Sequence, residues 1–445
     1  MESFSKNTKK LTLISLVLMI FTSVFGFNNI PRSFYLMGYS AIPWYIISGL
    51  TFFNPFALMI GEFGSAFRKE KGGIYSWMAK SVGPKFAFIG TFMWYASYIV
   101  WMVNIANAVW IVFSNAIFGK DTTATWSLFG LNSTQTIGLL GVLWIVVVTF
   151  TATKGLDKIK KVTSVGGAAV MLLNVILLVG AIAVLIGNGG HLAHPIASAA
   201  VLLQSPNPSY QSTISIFAFL VFALFAYGGI EVVGGLADET ENAEKTFPKG
   251  IIFASVVIAV GYSIGIFTVG IFTNWEQVLS LKGIHMENVG YVVMNNLGYQ
   301  LAHAFRGSEV FSLSVGTWMA RYVGVSMLLA LMGAYFTLAY SPLKQMIEGT
   351  PKEIWPKKMG VVKDGMPQNA MWIQCIVVAK TYRSALVWGV IVTFTIGFAN
   401  FFTIIQPAID GGLSSTIWSI AGPLFFVIVA LLIYSRYERK IKVKN

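Results

Sequence analysis

Two clusters of residues in this chain could do chemistry in an apolar setting. The first is Gly228, Gly229 and Glu231, within the run 213–250, TISIFAFLVFALFAYGGIEVVGGLADETENAEKTFPKG. The second is Gly26, Asn28, Asn29, Pro31 and Arg32, in SVFGFNNIPRSF from Ser23. Each interrupts an apolar segment of about the 20 residues that cross a membrane. Glycine pairs weaken a helix, and a carboxylate at membrane depth costs on the order of 3 kcal/mol or more. Such a combination is kept mostly where backbone lines a protected cavity. A helix broken there exposes the amides and positive dipole end of one half, which suit a carboxylate. The carbonyl end of a facing half suits an ammonium. Two such breaks describe a site for a zwitterion, an α-amino acid. A plainer reading stays open for each. Gly228 and Gly229 would admit a close helix neighbour while Glu231 snorkels, and Pro31 would kink a helix whose Arg32 reaches outward.

The elements that must position these residues are membrane helices. Of 445 residues, 56% are hydrophobic and 11% charged, with mean hydropathy +0.70, whereas soluble domains are about 25% charged. Apolar runs of adequate length predict an all-α polytopic membrane protein with about ten spans, surrounded by lipid bilayer. The net charge of +13 is topological and does not imply a nucleic-acid partner. Lysine and arginine gather at 6–10, 68–85, 154–161, 344–383 and 436–444, and the alternate loops hold little beyond Lys120, Lys282 and Arg306. That pattern places both termini in the cytoplasm. The first apolar run lacks a small-residue cleavage site, so no cleavable signal is expected. Cys375 is the only cysteine, which excludes an intramolecular disulfide. His191 and His194 beside Pro195 make a poor metal site, so no metal or other cofactor is expected. No phosphate-binding loop, nucleophile elbow or zincin motif is present, and the chain does not read as an enzyme.

The first span, 11–37, and the sixth, beginning at 213, carry the breaks. The others are expected at 42–67, 87–118, 135–153, 162–186, 250–273, 321–346, 384–405 and 416–434. Asn104 and Asn107 lie on the third span, and Gly261 and Gly265 form a GxxxG on the seventh, most simply a packing face. The segment 274–319 suggests an amphipathic helix at the mouth. Paired interruptions five spans apart point to an inverted repeat with a midplane site.

Three motifs in order carry a family resemblance. One is Gly61-Glu62, then Gly72-Gly73-x-Tyr75-x-Trp77 and Gly83. Another is Phe225-Ala226-Tyr227-Gly228-Gly229-Ile230-Glu231, then Glu239 and Pro248. The third is the loop closed by Gly365 and Pro367. Over 11–369 and the last two spans the chain resembles the amino acid–polyamine–organocation superfamily of transporters. Within it, the chain is similar to the glutamate/γ-aminobutyrate antiporter-like branch, in particular the YjeM-type permeases. The resemblance implies a LeuT-like five-plus-five inverted repeat, alternating access and a substrate held between helices 1 and 6. The family's GSG-I-F pattern falls on Val24-Phe25-Gly26-Phe27-Asn28, where only Gly26 survives, giving the site a bulkier wall. By the same resemblance Phe225, followed by Ala226, Tyr227, Gly228 and Gly229, covers the substrate. Asn104 is the polar residue of the third helix and Tyr335 the aromatic of the eighth, although Phe225 and Tyr335 also read as plain packing. Glu231 takes the gating position and is the candidate for proton coupling. Glu62 reads equally as a partner of basic loop residues. The fifth helix has no lysine, so the cation-substituting lysine of some relatives is absent.

The largest departure follows Gln368. AMWIQCIVV offers only about nine apolar residues, too few to cross. The resemblance implies two further spans before the final pair, so the last two spans of the second repeat are expected to be missing. The expected organisation is one transmembrane domain over 1–445: a first repeat at 11–187, a curtailed second repeat at 213–378 and a final helix pair at 384–436. The expected function is secondary transport of an amino acid or related amine, by exchange or with proton coupling, across the cytoplasmic membrane. A homo-oligomeric assembly stays open. The rival class is a non-transporting sensor or assembly subunit, or an impaired transporter, which the missing spans would make credible.

Overall fold

A computed structural model describes residues 12–67, 73–154, 156–231, 240–361, 367–388 and 427–435. Among them every regular element is helical. The first apolar segment forms α1 (Leu13–Val24) and α2 (Asn29–Met37), separated by residues 25–28. Pro31 is not the breaker. It sits in the first turn of α2, where a missing amide hydrogen leaves no bond unmade. Gly38, at φ 58, turns the chain into α3 (Ala41–Ser48), and a π turn joins this to α4 (Asn54–Ala66). A short α5 (Gly73–Val82) leads into α6 (Pro84–Phe118), which Gly119 ends in a left-handed conformation. An Asn132–Gln135 capping box starts α7 (Ser133–Ala152), and α8 (Leu156–Gly187) completes the first half.

Ser212 caps α9 (Thr213–Ala226), which stops at the second break, and α10 (Ala243–Phe272) follows. The segment 274–319 does contain a separate helix, α11 (Val289–Ala304), but its last part belongs to α12 (Glu309–Gly349). That helix starts twelve residues before the expected 321, because Ser308 accepts the Phe311 amide and caps it there. The nine-residue run after Gln368 is likewise the middle of a longer helix, α13 (Gln368–Trp388). At 21 residues it reaches about 31 Å, longer than the apolar run suggests, but it is not among the described stretches that are apolar enough to cross a membrane. Of its polar residues, Gln374 is buried and paired within the protein. Gln374 Oε1 accepts the Tyr95 hydroxyl at 2.6 Å, and its amide donates to Ala339 O at 3.3 Å. The expected span 384–405 lies almost wholly outside the described residues, as does most of 416–434.

Six described helical stretches are long and apolar enough to cross a membrane: Asn29–Ala66, Pro84–Phe118, Ser133–Ala152, Val165–Gly187, Ala243–Phe272 and Glu309–Ile347. They pack around two cores. One is built mainly from α1–α4 and α8–α11, with Phe34, Tyr45, Phe219, Tyr227 and Tyr262 fully enclosed. The other joins α5, α6, α7, α12 and α13, with Phe88, Tyr335 and Met371 at its centre. Leu331 of α12 touches both. Glycines allow the closest approaches in the first core. A Cβ on Gly61 would stand 3.2 Å from Pro248 Cα, and one on Gly265 would stand 2.5 Å from Ile30 Cδ1. The GxxxG of α10 is thus a packing face, and what it packs is the first broken helix.

Candidate substrate site

The first break takes its shape from two tight turns. The Asn29 amide donates to Gly26 O at 3.0 Å and that of Ile30 to Phe27 O at 3.2 Å. The amides of Phe27 and Asn28 are left without a hydrogen-bond partner among the described residues. Asn28 Oδ1 is also buried without one. Such unpaired amides are what the N-terminus of a helix leaves over. Phe25 and Phe27 are buried, at 6% and 2% exposed. Phe25 stacks between Phe21 and Tyr262, with ring centroids at 4.6 and 4.5 Å.

In the second break the chain leaves α9 at Ala226, and Gly229 adopts φ 110, a conformation in which a side chain is strained. Glu231 folds back, and its Oε2 accepts the Gly229 amide at 3.0 Å. Its Oε1 lies 3.5 Å from the hydroxyl of Tyr98 on α6, at the limit of a hydrogen bond. Phe225 is 50% exposed and Gly228 is exposed, so this face is open. Tyr227 turns the other way. It is fully buried, stacks on Phe53 at 4.4 Å and donates to Tyr45 O at 2.9 Å.

One side chain of α10 joins the breaks. The Tyr262 hydroxyl accepts the Gly26 amide at 2.9 Å and the Asn29 side-chain amide at 3.1 Å. It also lies 3.1 Å from Val24 O, at the end of α1, and 3.0 Å from Ala226 O, at the end of α9. Both interruptions therefore meet at one oxygen. Asn104 is exposed on α6, one turn from the 47% exposed Trp101. Tyr335 is fully buried in the second core, its ring 6.4 Å from Trp144, and its hydroxyl has no hydrogen-bond partner among the described residues. The structure thus brings Gly26 and Ala226 together, opens Phe225 and Asn104, and seats Tyr335 among aromatic neighbours. Tyr45, Tyr98 and Tyr262 were not legible as site residues. A hydroxyl in the middle of an apolar span needs a partner, and that was the available signal.

The sequence is matched over residues 11–382 by the model of the family described as amino acid permease. The chain belongs to that family. It is 49% identical to the inner membrane transporter YjeM of Escherichia coli over 486 positions, covering 96% of each chain. Those positions outnumber the 445 residues here, so this permease carries gaps against that relative. More distant are the aspartate/glutamate permease AcaP of Lactococcus lactis, 24% identical over 66% of this chain and 57% of its own. A glutamate/gamma-aminobutyrate antiporter of Lactococcus lactis is 23% identical over 94% of this chain and 77% of its own. The permease is a multi-pass cell-membrane transporter and not an enzyme. Its family implies a small-molecule amino acid as substrate.

Proposed function

We propose that the permease is a secondary active transporter of an amino acid or related amine, working by alternating access as an exchanger or with proton coupling. The observation that carries this reading is the meeting of the two breaks at Tyr262. It ties the first break, with the unpaired amides of Phe27 and Asn28, to the end of α9, next in the chain to the exposed Phe225 and Gly228. The substrate carboxylate would take the amides, and Phe225 would cover it. Asn104 would face the same path from α6, and Glu231 would serve as gate and proton carrier. Tyr335 would act from behind, through the second core. The separation of the protein into two cores supports a mechanism in which one moves against the other. Both termini would lie in the cytoplasm, from the distribution of lysine and arginine. Relatives named for aspartate, glutamate and γ-aminobutyrate favour an acidic amino acid or its decarboxylated product. The excess of aligned positions over residues supports a second repeat shortened by about two spans, at about 20 residues each.

The test is counterflow in proteoliposomes preloaded with mixed amino acids, using radiolabelled glutamate, γ-aminobutyrate and neutral amino acids in turn. Saturable exchange that Phe225→Ala abolishes is the expected result. A folded, monodisperse protein that exchanges none of them overturns the proposal in favour of a sensor or an impaired scaffold. Flux that fails to saturate would indicate a channel.

A further inference from the structure

We propose that Tyr262 is a positioning residue that makes the two breaks move as one unit, its hydroxyl acting as a clasp between helices 1 and 6. This rests on the transport reading above and adds to it the device that couples the two interrupted helices. The accounting at the oxygen is complete. A phenol offers one proton and two acceptor positions. Both acceptor positions are filled from the first break, by the Gly26 amide at 2.9 Å and Asn29 Nδ2 at 3.1 Å. The single proton faces two carbonyls at nearly equal distance, Val24 O at 3.1 Å and Ala226 O at 3.0 Å. These carbonyls are the last of α1 and α9, where each half-helix carries its partial negative end. The two like ends would repel; one shared proton holds them both.

The ring is held as firmly as the hydroxyl. It is fully buried and packs against Phe25 at 4.5 Å, Tyr45 at 5.0 Å and Tyr227 at 5.6 Å. Gly261 and Gly265 flank it on the same helix and bring Phe25 and Ile30 of the first break against α10. The hydroxyl therefore cannot follow one break while leaving the other. A shift of Ala226 relative to Val24 must break one of its bonds, so the two segments are tied to α10 and to each other.

Tyr262→Phe removes the hydroxyl and keeps the ring. Hydrogen exchange read by mass spectrometry is expected to quicken at both breaks, in peptides covering 24–30 and 224–229. A change confined to the first break would mean that the hydroxyl holds that segment alone, and would overturn the coupling. In proteoliposomes the counterflow rate is expected to fall by about tenfold, while half-saturation for the exchanged substrate stays within about threefold. The probe is whichever of radiolabelled glutamate, γ-aminobutyrate or alanine the unmodified protein exchanges. Asn29→Ala supplies a second variant if Tyr262→Phe does not fold. It removes one bond to the same oxygen and should also loosen both breaks, and in the Tyr262→Phe background it should add nothing. Unmodified protein that exchanges none of the probes overturns the transport reading. Exchange at full rate by Tyr262→Phe, with both breaks unchanged, overturns this inference alone.

Discussion

Glu231 caps the break that it follows, accepting the Gly229 amide at 3.0 Å through Oε2. The carboxylate thereby does two separable things: it fixes the backbone of the break, and it carries a charge toward Tyr98 on α6. Glutamine keeps an acceptor oxygen for Gly229 and removes the charge. Under the proton-coupling proposal, Glu231→Gln should retain exchange and lose the pH dependence of uptake. Glu231→Ala should lose both, because the Gly229 amide then has no partner. Uptake against pH in proteoliposomes decides this. A Glu231→Gln protein with an unaltered pH profile would remove Glu231 from the coupling step.

Gly64 of α4 faces Phe247 of α10 so closely that an added Cβ would lie 2.2 Å from Cε1 of the ring. Phe247 is fully buried and cannot swing clear. Gly64→Ala should therefore destabilise the protein by about 1–3 kcal/mol, the usual cost of overpacking. Gly138 in α7 has nothing within 4 Å of its added Cβ. There Gly138→Ala should be neutral or stabilising, since glycine costs up to about 1 kcal/mol in a helix interior. The melting temperature in detergent should fall for Gly64→Ala and hold or rise for Gly138→Ala. A common shift would mean that the α4–α10 seam has slack.

Much of this was legible because the physics is local. The break in α1/α2 shows as Gly26, Asn28 and Asn29 inside an apolar run, and that after α9 as Gly228 and Gly229. The position of the first break within its run was not. Pro31 suggested it, yet a proline in a first helical turn costs nothing, and the chain parts earlier, at 25–28. The start of α12 was misplaced because Ser312, Ser314 and Gly316 dilute the apolar signal, although Ser308 followed by Glu309 has the pattern of a helix start. The length of α13 was hidden by Gln374, whose partners Tyr95 and Ala339 are 279 and 35 residues away. Tyr262 illustrates the general limit. Periodicity assigns a residue to a face, but it does not say which distant backbone that face will meet.

His194 sits outside the membrane-spanning helices, in the loop between α8 and α9, and closes that end over Tyr39. Its amide donates to Gly270 O at 3.0 Å, and its own carbonyl accepts the Tyr39 hydroxyl at 3.1 Å. The ring lies 5.3 Å from that of Tyr39 and 5.6 Å from that of Phe34. Burial holds the imidazole below its ordinary value of 6.5, and Glu276, at 3.8 Å, opposes this more weakly. The unfolded chain therefore takes up a proton at this position at higher pH than the folded one. The stability associated with neutral His194 is fully present above about pH 6.5 and is lost as pH falls through the lower folded value. Melting temperature should accordingly be flat above that pH and decline below it. His194→Gln cannot titrate, so the decline should become shallower while the loop remains tied through its backbone bonds to Gly270 and Tyr39. Melting curves from pH 7.5 down to pH 5 for both proteins provide the comparison. An equal slope in the two would place the acid sensitivity elsewhere, with His194 serving only to pack Tyr39 and Phe34.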